Sequence, residues 1–134
     1  MEDKKQYRVA VYGTLLAGER NAHWAAGALA RVPATIRGTL YDTGFGYPTF
    51  VPRADGPAIA AEVLTVTEEG LARMDILEGY PTLYHRMQIK ATLADGTATD
   101  ALVYVMTRLP PGIRPIHEND WRPYRLAGKH ARHF

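Results

Sequence analysis

Glu78 is the residue of this chain best placed to move a proton. It stands in Leu77-Glu78-Gly79-Tyr80-Pro81, where a helical pattern ends and a turn begins. The preceding stretch, Thr67 to Leu77, reads as a short amphipathic helix. Thr67 is its N-cap, and Glu68 and Glu69 fill a first turn in which the helix dipole favours acids. At about 100° per residue, Glu78 projects between Leu71 and Met74, toward the core. Gly79 and Pro81 then stop the helix. A glutamate on that face is either a carboxylate the fold must offset or a base the fold holds. Desolvation there raises its pKa above the ordinary value of about 4.3, the direction a general base working near neutral pH needs.

A second candidate is Tyr12-Gly13-Thr14-Leu15, at the end of an apolar, β-branched run. Consecutive backbone N–H groups in such a turn form a nest for a carboxylate or an oxyanion. Gly13 permits close backbone approach, and the Thr14 hydroxyl adds a donor. Alone, a Tyr-Gly-Thr sequence describes only a turn.

Other chemistries find little footing. The chain has no cysteine, which excludes disulfides, thiolate metal sites and cysteine nucleophiles. The five histidines, His23, His85, His117, His130 and His133, lack metal-ligand spacing, so no metal and no cofactor are expected. The Gly44-Phe45-Gly46-Tyr47-Pro48 loop opens no helix and lacks a nucleotide-binding glycine pattern.

The elements that must position these residues are legible in order. Tyr7 to Tyr12, Thr35 to Tyr41 and Ala58 to Val66 read as strands, and Asn21 is placed to cap a short helix through His23, Trp24 and Leu29. Leu83 to Leu93 and Thr97 to Met106 form a hairpin joined by Asp95-Gly96. Strands outnumber helices without regular alternation, which predicts an α+β fold. The expected form is a small mixed β-barrel or strongly curled sheet with two or so flanking helices.

The 134 residues form one expected domain, 46% hydrophobic and 22% charged. No apolar run approaches the roughly 18 residues of a membrane span. The charged N-terminus, Met1 to Gln6, is followed by no signal-like segment, so a cytoplasmic protein without membrane contact is expected. The net charge of +2 conceals an asymmetry. From Thr107 onward six Lys/Arg face only Glu118 and Asp120, giving +4 and leaving −2 for the rest. This segment, rich in prolines, reads as an irregular basic tail anchored by Trp121 and Tyr124. A nucleic-acid role for it ranks last, because aromatics do not interleave with the basic residues.

Taken together, Val11-Tyr12-Gly13-Thr14-Leu15 and Leu77-Glu78-Gly79-Tyr80-Pro81-Thr82-Leu83-Tyr84-His85-Arg86 resemble the γ-glutamylcyclotransferase superfamily. The first resembles its Tyr-Gly-Ser/Thr-Leu substrate loop. The second is similar to its Glu-Gly-x-Pro-x-x-Tyr-x-Arg segment, nearest the γ-glutamylamine cyclotransferase (AIG2-like) branch. Asn21-Ala22-His23-Trp24 and Glu118-Asn119-Asp120-Trp121 resemble pieces of its small bacterial members. The resemblance implies cyclisation of a γ-glutamyl amine or amide to 5-oxoproline with release of an amine, without a cofactor. It implies Glu78 as the catalytic proton shuttle and Tyr12, Gly13, Thr14 and Leu15 as substrate-binding residues. A shorter match adds Tyr104 to the binding set. Arg86 is expected to pair with a nearby acid rather than to touch substrate, and Tyr80 to line the pocket or cover the helix end. The expected partner is a small γ-glutamyl molecule, with no nucleic acid; the oligomeric state is left open. The alternative is a non-catalytic member whose pocket binds a small carboxylate.

Overall fold

The structure, a computed structural model, describes residues 5–128. Seven strands and two helices follow one another as β1 (Gln6–Val11), β2 (Ala30–Asp42), β3 (Pro48–Pro52), β4 (Ala58–Thr67), α1 (Glu68–Glu78), β5 (Tyr84–Leu93), β6 (Ala98–Met106), β7 (Arg114–Ile116) and α2 (Trp121–Leu126). Hydrogen bonding runs β2–β4–β1–β6–β5 and back to β2, closing a five-stranded barrel. The β1–β6 pair is parallel and the other pairs are antiparallel. This is the small mixed barrel that the excess of strands over helices predicts, and closure leaves those strands no open edge.

β2 is longer than the barrel needs. Residues 30–37 pair with β4, while Leu40, Tyr41 and Asp42 pair with β3 on one side and β7 on the other. The result is a small sheet projecting from the barrel end. β1 and β4 carry runs of consecutive buried residues, Val9 to Val11 and Ala61 to Leu64. Such runs mark strands covered on both faces.

α1 covers this part of the barrel. The Thr67 hydroxyl accepts from the Gly70 N–H at 3.1 Å, the expected N-cap. Leu71 and Met74 are buried, each contributing about 1.5–3 kcal/mol, whereas Ile76 is 72% exposed, so the apolar stripe is narrow. Gly79 ends the helix at φ 64°. The Tyr80 N–H returns to the Asp75 carbonyl at 2.9 Å and the Gly79 N–H to that of Ile76 at 3.2 Å, a Schellman ending.

Three expectations are corrected. The segment from residue 107 is not an irregular tail: β7 adds to β2 as an edge strand, which is why Pro115 is tolerated, and α2 follows. Trp121 and Tyr124 are buried anchors as expected, and their burial draws α2 onto the barrel. The Tyr124 hydroxyl donates to buried Asp42 at 2.5 Å. Pro48, placed by the sequence in the Gly44–Pro48 loop, opens a strand, Pro48–Pro52. Asn21 does not cap by its side chain and no helix extends to Leu29; only a 3₁₀ turn, Ala22–Ala25, follows. Lys129, His130, Arg132 and His133 lie outside the described residues.

Candidate active site

The turn after β1 is held in place by its own hydrogen bonds, by the Glu62 carboxylate of β4 and by Arg125 of α2. Within it, the Leu16 N–H donates to the Gly13 carbonyl at 3.0 Å and the Asn21 N–H to that of Thr14 at 2.9 Å. The Asn21 side-chain amide also donates to the Thr14 hydroxyl oxygen at 3.0 Å. From β4, the buried Glu62 carboxylate accepts the Ala17 N–H at 2.9 Å and pairs with Arg31. Arg31 in turn donates to the Leu15 carbonyl at 3.1 Å. From the other side, Arg125 of α2 forks onto buried Glu19, at 2.7 and 2.9 Å. Arg122 lies 3.6 Å from Glu62 and also bonds Asp120, so two of the C-terminal basic residues are engaged by internal acids.

With the turn so fixed, the Gly13, Thr14 and Leu15 N–H groups donate to no other described residue. Gly13 also meets Pro48 closely: a Cβ there would stand 2.7 Å from the proline Cγ.

Gly13, Thr14 and Leu15 border a cavity of about 220 Å³. Tyr12, Gly13, Thr14, Leu15, Glu78 and Tyr104, the six residues singled out in the sequence, all border it. Tyr47, Pro48 and Tyr84 complete its polar and aromatic wall, and Leu77 and Leu83 border it near Glu78. Tyr47 and Pro48 belong to the glycine-rich loop, whose only sequence signal was its turn residues. Arg20 and Asn21 also border the cavity, and Arg20 is exposed.

Glu78 has no hydrogen bond or ion pair to any described residue. Burial pushes its carboxyl from the ordinary 4.5 up to about 7. The tyrosines beside it shift the same way. Burial, then Tyr84 and Glu78, hold the Tyr12 hydroxyl well above its ordinary range, and burial with Glu78 does so for Tyr84. Tyr12 donates to the Tyr104 carbonyl at 2.7 Å, and Tyr104 donates to Asp75 at 2.5 Å.

Arg86 takes the structural role expected of it, 3.5 Å from Asp75 and stacked on the Tyr80 ring at 4.1 Å. Tyr80 lies outside the cavity lining. Among the described residues no group of three His, Asp or Glu is arranged to hold a metal, and no helix is long and apolar enough to cross a membrane.

Comparison with known proteins identifies the family. Residues 9–123 match the family described as γ-glutamyl cyclotransferase, AIG2-like. A γ-L-glutamyl-butirosin B γ-glutamyl cyclotransferase from Niallia circulans is 35% identical over 123 residues, covering 87% of this chain and 76% of that protein. Among solved structures, YkqA from Bacillus subtilis superposes with a TM-score of 0.73 at 25% identity over 93% of this chain, which spans only 43% of YkqA. An AIG2-like protein from Mus musculus shares the fold, with a TM-score of 0.70 at 23% identity over 79% of this chain and 80% of its own. The chain belongs to the γ-glutamyl cyclotransferase, AIG2-like, family.

Proposed function

We propose that this protein converts a γ-glutamyl amide into 5-oxoproline and a free amine, with Glu78 as the proton shuttle. One observation carries the reading. An unpaired carboxylate titrating near neutrality shares a small cavity with three amide donors that have no other partner.

The nucleophile comes with the substrate. Its α-nitrogen, held near its own γ-carbonyl carbon, attacks to form the C–N bond of a five-membered ring. Preorganising that conformer lowers the barrier by supplying the entropy in advance. The negative charge developing on the γ-carbonyl oxygen, and the substrate α-carboxylate, suit the Gly13–Leu15 amides and the Thr14 hydroxyl as donors. Collapse then breaks the bond to the departing nitrogen. Two protons leave the α-nitrogen and two arrive on the departing amine, which leaves as an ammonium ion. Glu78 carries them one at a time, as base and then as acid. A carboxyl with a pKa of about 7 does both at neutral pH.

The test is 5-oxoproline release from a panel of γ-glutamyl amines and γ-glutamyl amino acids. Wild type should turn over at least one member, and Glu78→Gln should be slower by about 10²-fold or more. Equal rates would remove Glu78 from the mechanism. Binding of 5-oxoproline without turnover of any member would leave only a carboxylate-binding pocket.

A further inference from the structure

The cavity is polarised in its hydrogen bonding. One wall, the Gly13–Leu15 turn, offers donors. The opposite character comes from Tyr12 and Tyr104, whose hydroxyl protons are both committed elsewhere. A carbonyl can only accept, so the 2.7 Å contact from Tyr12 to the Tyr104 carbonyl uses the Tyr12 proton. A carboxylate can only accept, so the 2.5 Å contact from Tyr104 to Asp75 uses the Tyr104 proton. What the Tyr104 hydroxyl has left are lone pairs, whereas the Tyr12 oxygen already faces the Phe50 N–H and the Thr49 hydroxyl. Glu78 is near enough to influence both hydroxyls electrostatically, and both tyrosines border the cavity.

We infer that Asp75 is a positioning residue that fixes Tyr104 as a hydrogen-bond acceptor, and that Tyr104 with Glu78 receives the α-ammonium of the γ-glutamyl group. That this cation is the substrate's α-ammonium rests on the cyclotransferase reading. The arrangement matches an α-amino acid end: its carboxylate meets donors and its ammonium meets acceptors. Asp75 does not border the cavity and acts through the tyrosine. Arg86, 3.5 Å from Asp75 and stacked on Tyr80, holds the carboxylate facing Tyr104. Burial and the Asp75 bond raise the Tyr104 pKa, so the group stays a neutral hydroxyl. It orients the ammonium and leaves proton removal to Glu78.

Calorimetric titration with glutamate and with glutarate, which lacks the amine, tests this at about pH 8. Wild type should bind glutamate the more tightly. Tyr104→Phe should weaken glutamate by about tenfold, the usual worth of a hydrogen bond to a charged group, and leave glutarate unchanged. Asp75→Asn frees the tyrosine proton or donates to its oxygen, and should do the same. The double variant should be no worse than either single one, because both act through one hydroxyl.

Equal losses for the two ligands in Asp75→Asn would make its role merely structural and overturn the inference. So would a wild type that binds both ligands equally, or neither. The cyclotransferase reading is scored separately, by 5-oxoproline release. Turnover without amine discrimination sinks only the Tyr104 assignment, and discrimination without turnover sinks only the reaction.

Discussion

Asp75 and Glu78 stand one turn apart on α1 and meet opposite surroundings. Asp75 takes the Tyr104 hydroxyl at 2.5 Å and the Arg86 guanidinium at 3.5 Å, whereas Glu78 takes no hydrogen bond and no counter-charge from any described residue. Two carboxylates on one short helix are thereby divided between holding and reacting. The division follows from placement: Asp75 faces the outer ends of β5 and β6, and Glu78 is the last helical residue before Gly79 turns the chain away.

The isolation of Glu78 gives activity and stability opposite pH dependences. With a folded pKa of about 7 and an ordinary value of 4.5, the native state holds a proton that the unfolded chain has released between those limits. Stability from this group is therefore complete below about pH 4.5 and is lost as pH rises through 7. The full difference is about 3 kcal/mol as an upper bound, less because solvent reaches the side chain through the cavity. Activity runs the other way, since the base must be ionised, and kcat/KM should rise across pH 7. Glu78→Gln should melt higher than wild type at pH 8 and level with it at pH 4.5. Melting curves that differ by the same amount at both pH values would contradict the burial of this carboxylate.

Gly13→Ala tests whether the donor turn must lie against Pro48. The added Cβ would meet the proline Cγ at 2.7 Å and Cδ at 2.9 Å, well inside van der Waals contact. Either the ring or the turn shifts, at a cost of about 1–3 kcal/mol. A shift of the turn moves the three amides, so glutamate and glutarate should both bind more weakly, unlike the amine-selective loss at Tyr104. A variant with wild-type melting temperature and wild-type binding would show that the close approach is dispensable.

The parts of this molecule legible in its sequence are those written locally. Thr67 and Gly79 bracket α1 by capping chemistry, and Asp95-Gly96 joins β5 to β6, with the Thr97 N–H on the Asp95 carboxylate at 2.9 Å. Five strand-like segments without regular β-α alternation were enough to expect a small barrel or strongly curled sheet. What stayed hidden depends on distant partners. Thr49-Phe50-Val51 is a strand only because β2 overruns the barrel, and Arg114–Ile116 is one only because β2 offers its other edge. Glu62 drew no notice in the sequence, yet its carboxylate holds the Ala17 amide across the fold. Asp75 carried no signal in the sequence, and its role depends on Tyr104 and Arg86, which reach it from β6 and β5. The basic C-terminal segment misled for the same reason, since Glu19, which faces Arg125, and Glu62, which lies beside Arg122, are far away in sequence.

Arg125 is the clearest test of that long-range support. Its fork on Glu19 ties α2 to the turn that supplies the cavity's amides, and the Glu19 side chain is only 4% exposed. Arg125→Met would leave a buried carboxylate without its bidentate partner. Arg125 is itself 37% exposed, so the expected loss is about 1–2 kcal/mol, below that of a fully buried pair. Arg125→Lys should recover only part, because an ammonium cannot reproduce the planar two-bond fork. Adding Glu19→Gln to Arg125→Met should restore stability by removing the stranded charge. The functional signature is a raised KM, since the turn loosens while Glu78 and its helix keep their place. A drop in kcat with KM unchanged would mean instead that α2 supports the catalytic carboxylate, and an unaltered melting temperature would mean that the fork contributes nothing to the fold.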